Sequence, residues 1–183
     1  MWTKNVELSD FGKYRVEKER IVNMNKGHDI LRGKKLKRLE IAEEEAKILL
    51  KKFSCNQSVN LAILTMIYEC EGGKDDKGIN FSNSDPGLII VFLSTLRSLF
   101  KVDENRLHAL VHIHDYHDED EIIKYWSSVT NIPVHRFYKS FKKPSDHKFK
   151  KADYKGCLHI YYGDIHVYRV IRAVAKKLIK LYI

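Results

Sequence analysis

The stretch Ser58–Lys74, SVNLAILTMIYECEGGK, constrains the fold more than any other part of the chain. Ser58 is placed to accept a bond from the first free N–H groups of a helix. Leu61, Leu64, Ile67 and Tyr68 recur at helical spacing, and Ala62, Ile63, Thr65 and Met66 leave almost no charged face. A helix that is apolar nearly all round must be covered nearly all round. One sheet cannot cover it, so Ala62, Ile63, Met66, Ile67 and Cys70 are expected to meet a second copy of the chain. Glu69 and Glu71 stand at the C-terminal end, where the helix dipole disfavours negative charge. They call for a compensating partner: a divalent cation, Lys74 across the turn, or the N-terminus of a neighbouring helix. Gly72 and Gly73 are expected to supply a left-handed stop.

The 183 residues carry a net charge of +9, unevenly spread. Residues 1–54 hold 14 basic and 9 acidic side chains, residues 55–130 hold 6 and 12, and residues 131–183 hold 13 and 3. A compact chain so polarised is expected to have a side that binds a polyanion, nucleic acid above all. No stretch reaches the roughly 18 apolar residues of a membrane span, and the first ten residues lack the apolar run of a signal peptide. Cys55, Cys70 and Cys157 are scattered, without a CxxC pair. Together these features point to an intracellular, cytoplasmic protein with no membrane association and no structural zinc site of the cysteine type.

Residues 1–54 read as a charged helical extension. Lys34–Phe53 is expected to be helical, with Leu36, Leu39, Ala42, Ala46, Leu49 and Leu50 as its stripe. A domain over 55–183 follows. After the apolar helix come a strand over 78–83, a helix capped by Asp85 with Pro86 at its first position, and an alternating strand over 107–115. The inner face of that strand is Leu107, Ala109, Val111 and Ile113. A helix over 118–130 with an acidic first turn, strands over 134–141 and 156–163, and an amphipathic helix over 165–181 complete the chain. The class is α+β, with helices on one face of a mixed or antiparallel four-stranded sheet.

His108, His112, His114 and His117 lie within ten residues, and His159 falls on the outer face of the last strand. Leu110 interrupts the row and no cysteine joins it, so a metal site is the weaker reading. With Tyr161, Asn80 and Ser82, the imidazoles make a polar sheet face able to lie in a nucleic-acid groove. Single-stranded RNA is a further candidate for such a face. Lys139–Lys155 adds seven lysines interleaved with Phe141, His147, Phe149 and Tyr154, opposed by Asp146 and Asp153. Lysines of this kind suit phosphate contact. Candidate contacts are therefore Asn80, Ser82, His108, His112, His114, Arg136, Lys139, Lys142, Lys143, Lys148, Lys150, Lys151, Lys155, His159 and Tyr161.

Met66-Ile67-Tyr68-Glu69-Cys70-Glu71-Gly72 resembles the core of the LAGLIDADG motif of homing endonucleases, with Met66 where the family has its first Gly. Asn83-Ser84-Asp85-Pro86 and Leu96-Arg97-Ser98-Leu99-Phe100 are similar to segments of small LAGLIDADG-like proteins. The resemblance spans roughly residues 58–183. It implies a half-domain of order αββαββα, in which the helix over 118–130 is an insertion. It also implies a homodimer across the motif helices, double-stranded DNA as partner, and a Mg²⁺-dependent endonuclease reaction. Glu71 then takes the metal, Glu69 fills the earlier acidic position, and Lys74 completes the candidate catalytic set. A non-catalytic DNA-binding regulator that keeps the same fold is the alternative. Trp2 to Ser9 resembles the segment that follows a helix-turn-helix unit in longer relatives, so such a unit, lost or separate, is a further implied partner.

Overall fold

The computed structural model describes residues 7–144 and 153–183. Lys148, Lys150, Lys151 and Trp2 lie outside the described residues, and with them most of the basic loop. The chain divides into two units, 1–54 and 55–183.

The first unit is one helix, α1, Asp10–Leu50, 41 residues long. Ser9 caps it by accepting the Gly12 N–H at 3.2 Å, and Asp10 complements the dipole in the first turn. It begins 24 residues before the expected Lys34. Periodicity could not reveal that start, because no residue of α1 is buried. Its charges face solvent on every side.

In the second unit, α2 spans Gln57–Glu71 and is capped by Asn56, whose side chain accepts the Val59 N–H at 2.9 Å. The expected cap, Ser58, lies inside the first turn. Gly72 ends α2 in extended conformation, with φ −81°, rather than in the expected left-handed region. Its lack of a side chain is still required. A Cβ there would sit 2.5 Å from the Tyr68 carbonyl oxygen and 2.6 Å from the Tyr68 ring.

β1 (Ile79–Asn83), α3 (Pro86–Leu99) and β2 (Leu107–His114) follow. Asp85 caps α3 through the Gly87 N–H at 2.7 Å, with Pro86 opening the helix. Then come α4 (Glu119–Thr130), β3 (Phe141–Lys143), β4 (Cys157–Tyr162) and α5 (Ile165–Lys180). The sheet order is β1-β4-β2-β3. β4 runs antiparallel to both β1 and β2, while β3 runs parallel to β2.

A parallel pair needs a crossover rather than a hairpin, and α4 is that crossover. The strand expected over 134–141 is replaced by a 3₁₀ turn at Val134–Arg136 and the three-residue β3. Pro133, at φ −61°, opens the turn, and the Arg136 guanidinium holds it by donating to the Asn105 carbonyl and, at 2.8 Å, to Asn105 Oδ1. From α2 onward the order is αβαβαββα. That differs from the αββαββα the resemblance implies, since α3 stands between the first two strands.

Strand alternation decides where the core lies. Ile79, Phe81, Leu107, Ala109, Val111, Ile113, Leu158, Ile160 and Tyr162 are all buried on the inner face. Against them pack Leu64 and Tyr68 of α2, Ile89, Phe92, Leu93 and Leu96 of α3, Trp126 of α4 and Ile171 of α5. Phe81 stacks on Phe92 with ring centroids 4.0 Å apart. Truncating such a residue costs about 3–5 kcal/mol.

Tyr68 is fully buried. Its hydroxyl donates to the Gly73 carbonyl at 3.1 Å and accepts the Asn80 N–H at 3.3 Å, and burial pushes its pKa up to about 12. α2 is thus pinned to the edge of β1 by a core phenol.

Candidate nucleic-acid interface

The opposite face of the sheet carries the alternate residues. Pairing puts Asn80, Tyr161 and His108 in one row, and Ser82, His159 and Leu110 in the next. Cys157, His112 and Phe141 form the third row, with Lys143 opposite His114.

These side chains pack on one another. His108 stacks on Tyr138 at 5.0 Å between centroids, and Tyr138 meets Tyr161 edge-on at 6.3 Å. His112 lies 5.1 Å from the Phe141 ring, and His114 stacks on Tyr116 at 5.4 Å. Tyr138 and Tyr116 are the members that sequence reasoning missed. Tyr116 follows directly on the histidine-bearing β2, and that proximity was the available signal; Tyr138 reaches the face only because its N–H donates to the Ala109 carbonyl of β2.

At the centre of the face, Ser82 Oγ lies 2.6 Å from His159 Nδ1, and His159 Nε2 lies 3.1 Å from His112 Nδ1. Burial pushes the His159 pKa down to about 4, and the neighbouring His112 and Lys143 add to the fall. His112 is lowered by burial first and then by Lys143. Both rings are therefore neutral at pH 7 and serve as hydrogen-bonding rather than cationic groups. Burial also raises the Cys157 thiol, with Lys143 opposing the rise and Glu71 adding to it.

Backbone pairing locates Glu71. Gly72 bridges Phe81 in antiparallel sense, so Glu71, one residue earlier, falls beside Ser82 at the edge of the same face. Glu71 is exposed and makes no hydrogen bond or ion pair among the described residues. Glu71, Ser82, His159, His112, Cys157 and Lys143, drawn from α2 and all four strands, thus form one neighbourhood.

The other expected site residues are engaged elsewhere. The Glu69 carboxylate accepts from the Arg172 guanidinium of α5. Lys74 donates to the Glu69 carbonyl at 2.5 Å and the Tyr68 carbonyl at 3.2 Å, neutralising the end of α2 where cations are favoured. Both therefore serve the helix end.

Lys142 pairs with Ile113, an inner-face residue, and its ammonium lies 3.2 Å from Glu119 of α4. Lys155 lies 3.7 Å from Glu121. Arg136 is held by Asn105. Lys139 is exposed beside Tyr138. Of the described lysines expected to contact nucleic acid, Lys139 and Lys143 are the two with no carboxylate partner among the described residues.

His117 is a clamp. The His114 N–H donates to its Nδ1 at 2.9 Å, so the ring proton sits on Nε2, which donates to the Tyr154 carbonyl at 2.8 Å.

Asn80 Oδ1, His108 Nδ1 and His114 Nδ1 are shut off from solvent without a hydrogen-bond partner among the described residues. Each such group costs about 1–3 kcal/mol. Among the described residues no three His, Cys, Asp or Glu side chains converge on a point where a metal could sit.

The face of α2 away from the core carries Val59, Ala62 and Ile63, half-buried, with Met66 (39% accessible) and Cys70 exposed. Ile67, expected with them, turns inward and packs on the core. No helix among the described residues is long and apolar enough to cross a membrane. No protein-family model matches the chain, and no curated protein sequence matches it.

Proposed function

We propose that this is a homodimeric DNA-binding protein of the LAGLIDADG type that grips duplex DNA with the outer face of its sheet and cuts it at Glu71. The observation that carries the reading is the outer face itself, a partly exposed layer of imidazole, phenol and amide side chains flanked by the exposed rings of Tyr138 and Phe141. The parts of that layer open to solvent suit contact with base edges and sugars. Lys139 and Lys143 border the layer and suit phosphate contact.

Pairing of two chains across the Ala62–Cys70 stripe of α2 fits a two-fold arrangement. Glu71 suits Mg²⁺, an ion usually held by one or two carboxylates with waters and substrate phosphates rather than by an all-protein cage. When bound there, the ion would supply an activated water and charge stabilisation at the scissile phosphate. Ser82 and the neutral His159–His112 pair would orient the phosphate beside it by hydrogen bonds.

A second reading, a DNA-binding protein without catalysis, is favoured by the engagement of Glu69 and Lys74 at the helix end. Nicking of a genomic DNA pool with and without Mg²⁺, comparing the wild type with Glu71→Gln, separates the two. Mg²⁺-dependent nicking lost in the variant, with DNA affinity kept or raised, supports cleavage. Binding without nicking in either protein leaves the second reading. No binding by the wild type, or binding unchanged by Lys139→Gln with Lys143→Gln, overturns both.

A further inference from the structure

The charges of α1 are organised differently along its length. Toward its ends they neutralise one another, with Lys13–Asp10, Arg15–Glu19, Arg20–Glu17 and Lys47–Glu44 paired about one turn apart. Between Lys26 and Arg38, six basic side chains oppose a single acid, Asp29. All six are exposed, and none is in an ion pair among the described residues. At roughly 100° per residue they cover about two-thirds of the helix circumference, leaving the remaining third to Asp29, Gly33 and Leu36.

That distribution selects among polyanions. A helix lying on an anionic membrane gathers its lysines on one side and apolar residues on the other. An acidic protein surface would also engage one side. Charge round most of the circumference suits a groove walled by phosphates on both sides. The segment spans about 18 Å, and the major groove of B-DNA, roughly 12 Å wide, admits a helix. The deep, narrow major groove of A-form RNA does not.

The glycines give an independent sign. Gly27 and Gly33 fall inside the segment, where each weakens a helix by about 1 kcal/mol relative to alanine. A Cβ added at either would meet nothing within 4 Å. Packing within the chain therefore requires neither glycine. Both leave the backbone bare for close approach and keep the unbound helix weak.

We propose that Lys26–Arg38 of α1 is a second DNA-contacting element that lies in the major groove of duplex DNA with phosphates on either side. It belongs to a different unit of the chain from the sheet face, and its binding does not depend on catalysis. The test uses full-length protein and a labelled mixed-sequence duplex of about 30 base pairs, titrated from ~50 to ~300 mM salt. Replacing Lys34, Lys35 and Lys37 by Gln should weaken binding roughly ten- to hundredfold near 150 mM salt and make the log–log salt slope shallower by about 2.7. Replacing Lys176, Lys177 and Lys180 of α5 by Gln removes the same charge and should have a much smaller effect. Gly27→Ala with Gly33→Ala should raise free helicity in far-UV circular dichroism and reduce the helicity gained on adding DNA. Equal losses from both lysine triples, wild-type binding by the α1 triple, or wild-type binding to an RNA duplex or phosphatidylserine vesicles as tight as to DNA would each overturn the proposal. Loss of binding in Lys139→Gln with Lys143→Gln reports on the sheet face alone, so the two readings fail separately.

Discussion

Ser82, His159 and His112 form a short chain of hydrogen bonds whose rings are kept neutral by burial and by Lys143. The sign of their pH dependence follows. The unfolded chain takes up a proton at His159 near the ordinary value of about 6.5, whereas the folded protein takes it up only near pH 4. Between those values the unfolded state binds more protons, so stability is full above about pH 6.5 and falls as pH drops toward 4. Thermal melts of the wild type should shift downward over that window. His159→Asn should melt lower at pH 7 yet lose less on acidification, and a variant with the wild-type pH profile would remove His159 from the account.

The acids at the end of α2 also divide at this scale. Arg172→Met leaves Glu69 partly buried without its partner and should cost about 1–3 kcal/mol in denaturant unfolding. Glu71→Gln should leave stability within about 0.5 kcal/mol, as expected of an exposed residue. Two glutamates two positions apart look alike in sequence. Only the arrival of α5 shows that one is held and the other is not.

Among the elements, those whose burial is periodic were legible. β2 alternates as its side chains predict, and Asp85-Pro86 opens α3 where cap chemistry places it. β3 was not legible, because its position depends on a crossover through α4 and on a 3₁₀ turn fixed by Asn105, a distant residue. Lys142, expected in the basic loop, instead belongs to β3, opposite the inner-face residue Ile113 and beside Glu119. A one-residue change of register moves every side chain of a strand to the other side.

By sequence α2 is apolar nearly all round, and the structure divides it into a core face and the stripe from Val59 to Cys70. Met66 lies on the open side, so Met66→Lys should leave each protomer folded. It should dissociate the proposed dimer, shifting sedimentation from dimer to monomer at micromolar concentration with an unchanged melting curve at low concentration. A dimer that survives the substitution would place the pairing surface elsewhere.

Over the whole molecule, stability is confined to one unit. Every buried hydrophobic residue among those described lies at or after Leu64. A helix of 41 residues without a buried side chain depends on propensity and on pairs one turn apart, each giving about 0.2–0.5 kcal/mol. The extent of α1 was therefore hidden in the sequence, since no tertiary face imposes a period on it, whereas the core of the second unit left its period in every strand and helix.

Hydrogen exchange makes this measurable. Amides of α1 should exchange at nearly the rate of a fraying helix, with the fastest exchange around Gly27 and Gly33. Amides of β2 and β4 should open only with global unfolding. Deleting residues 1–54 should move the melting temperature of the remainder by no more than about 2 °C, because a shift of that size reflects well under 1 kcal/mol in a domain of this length. Adding duplex DNA to the full chain should then slow exchange in two separate places, across Lys26–Arg38 and along the outer strands. Protection confined to the strands would leave α1 a free helix, and protection confined to α1 would move the DNA-binding function away from the sheet.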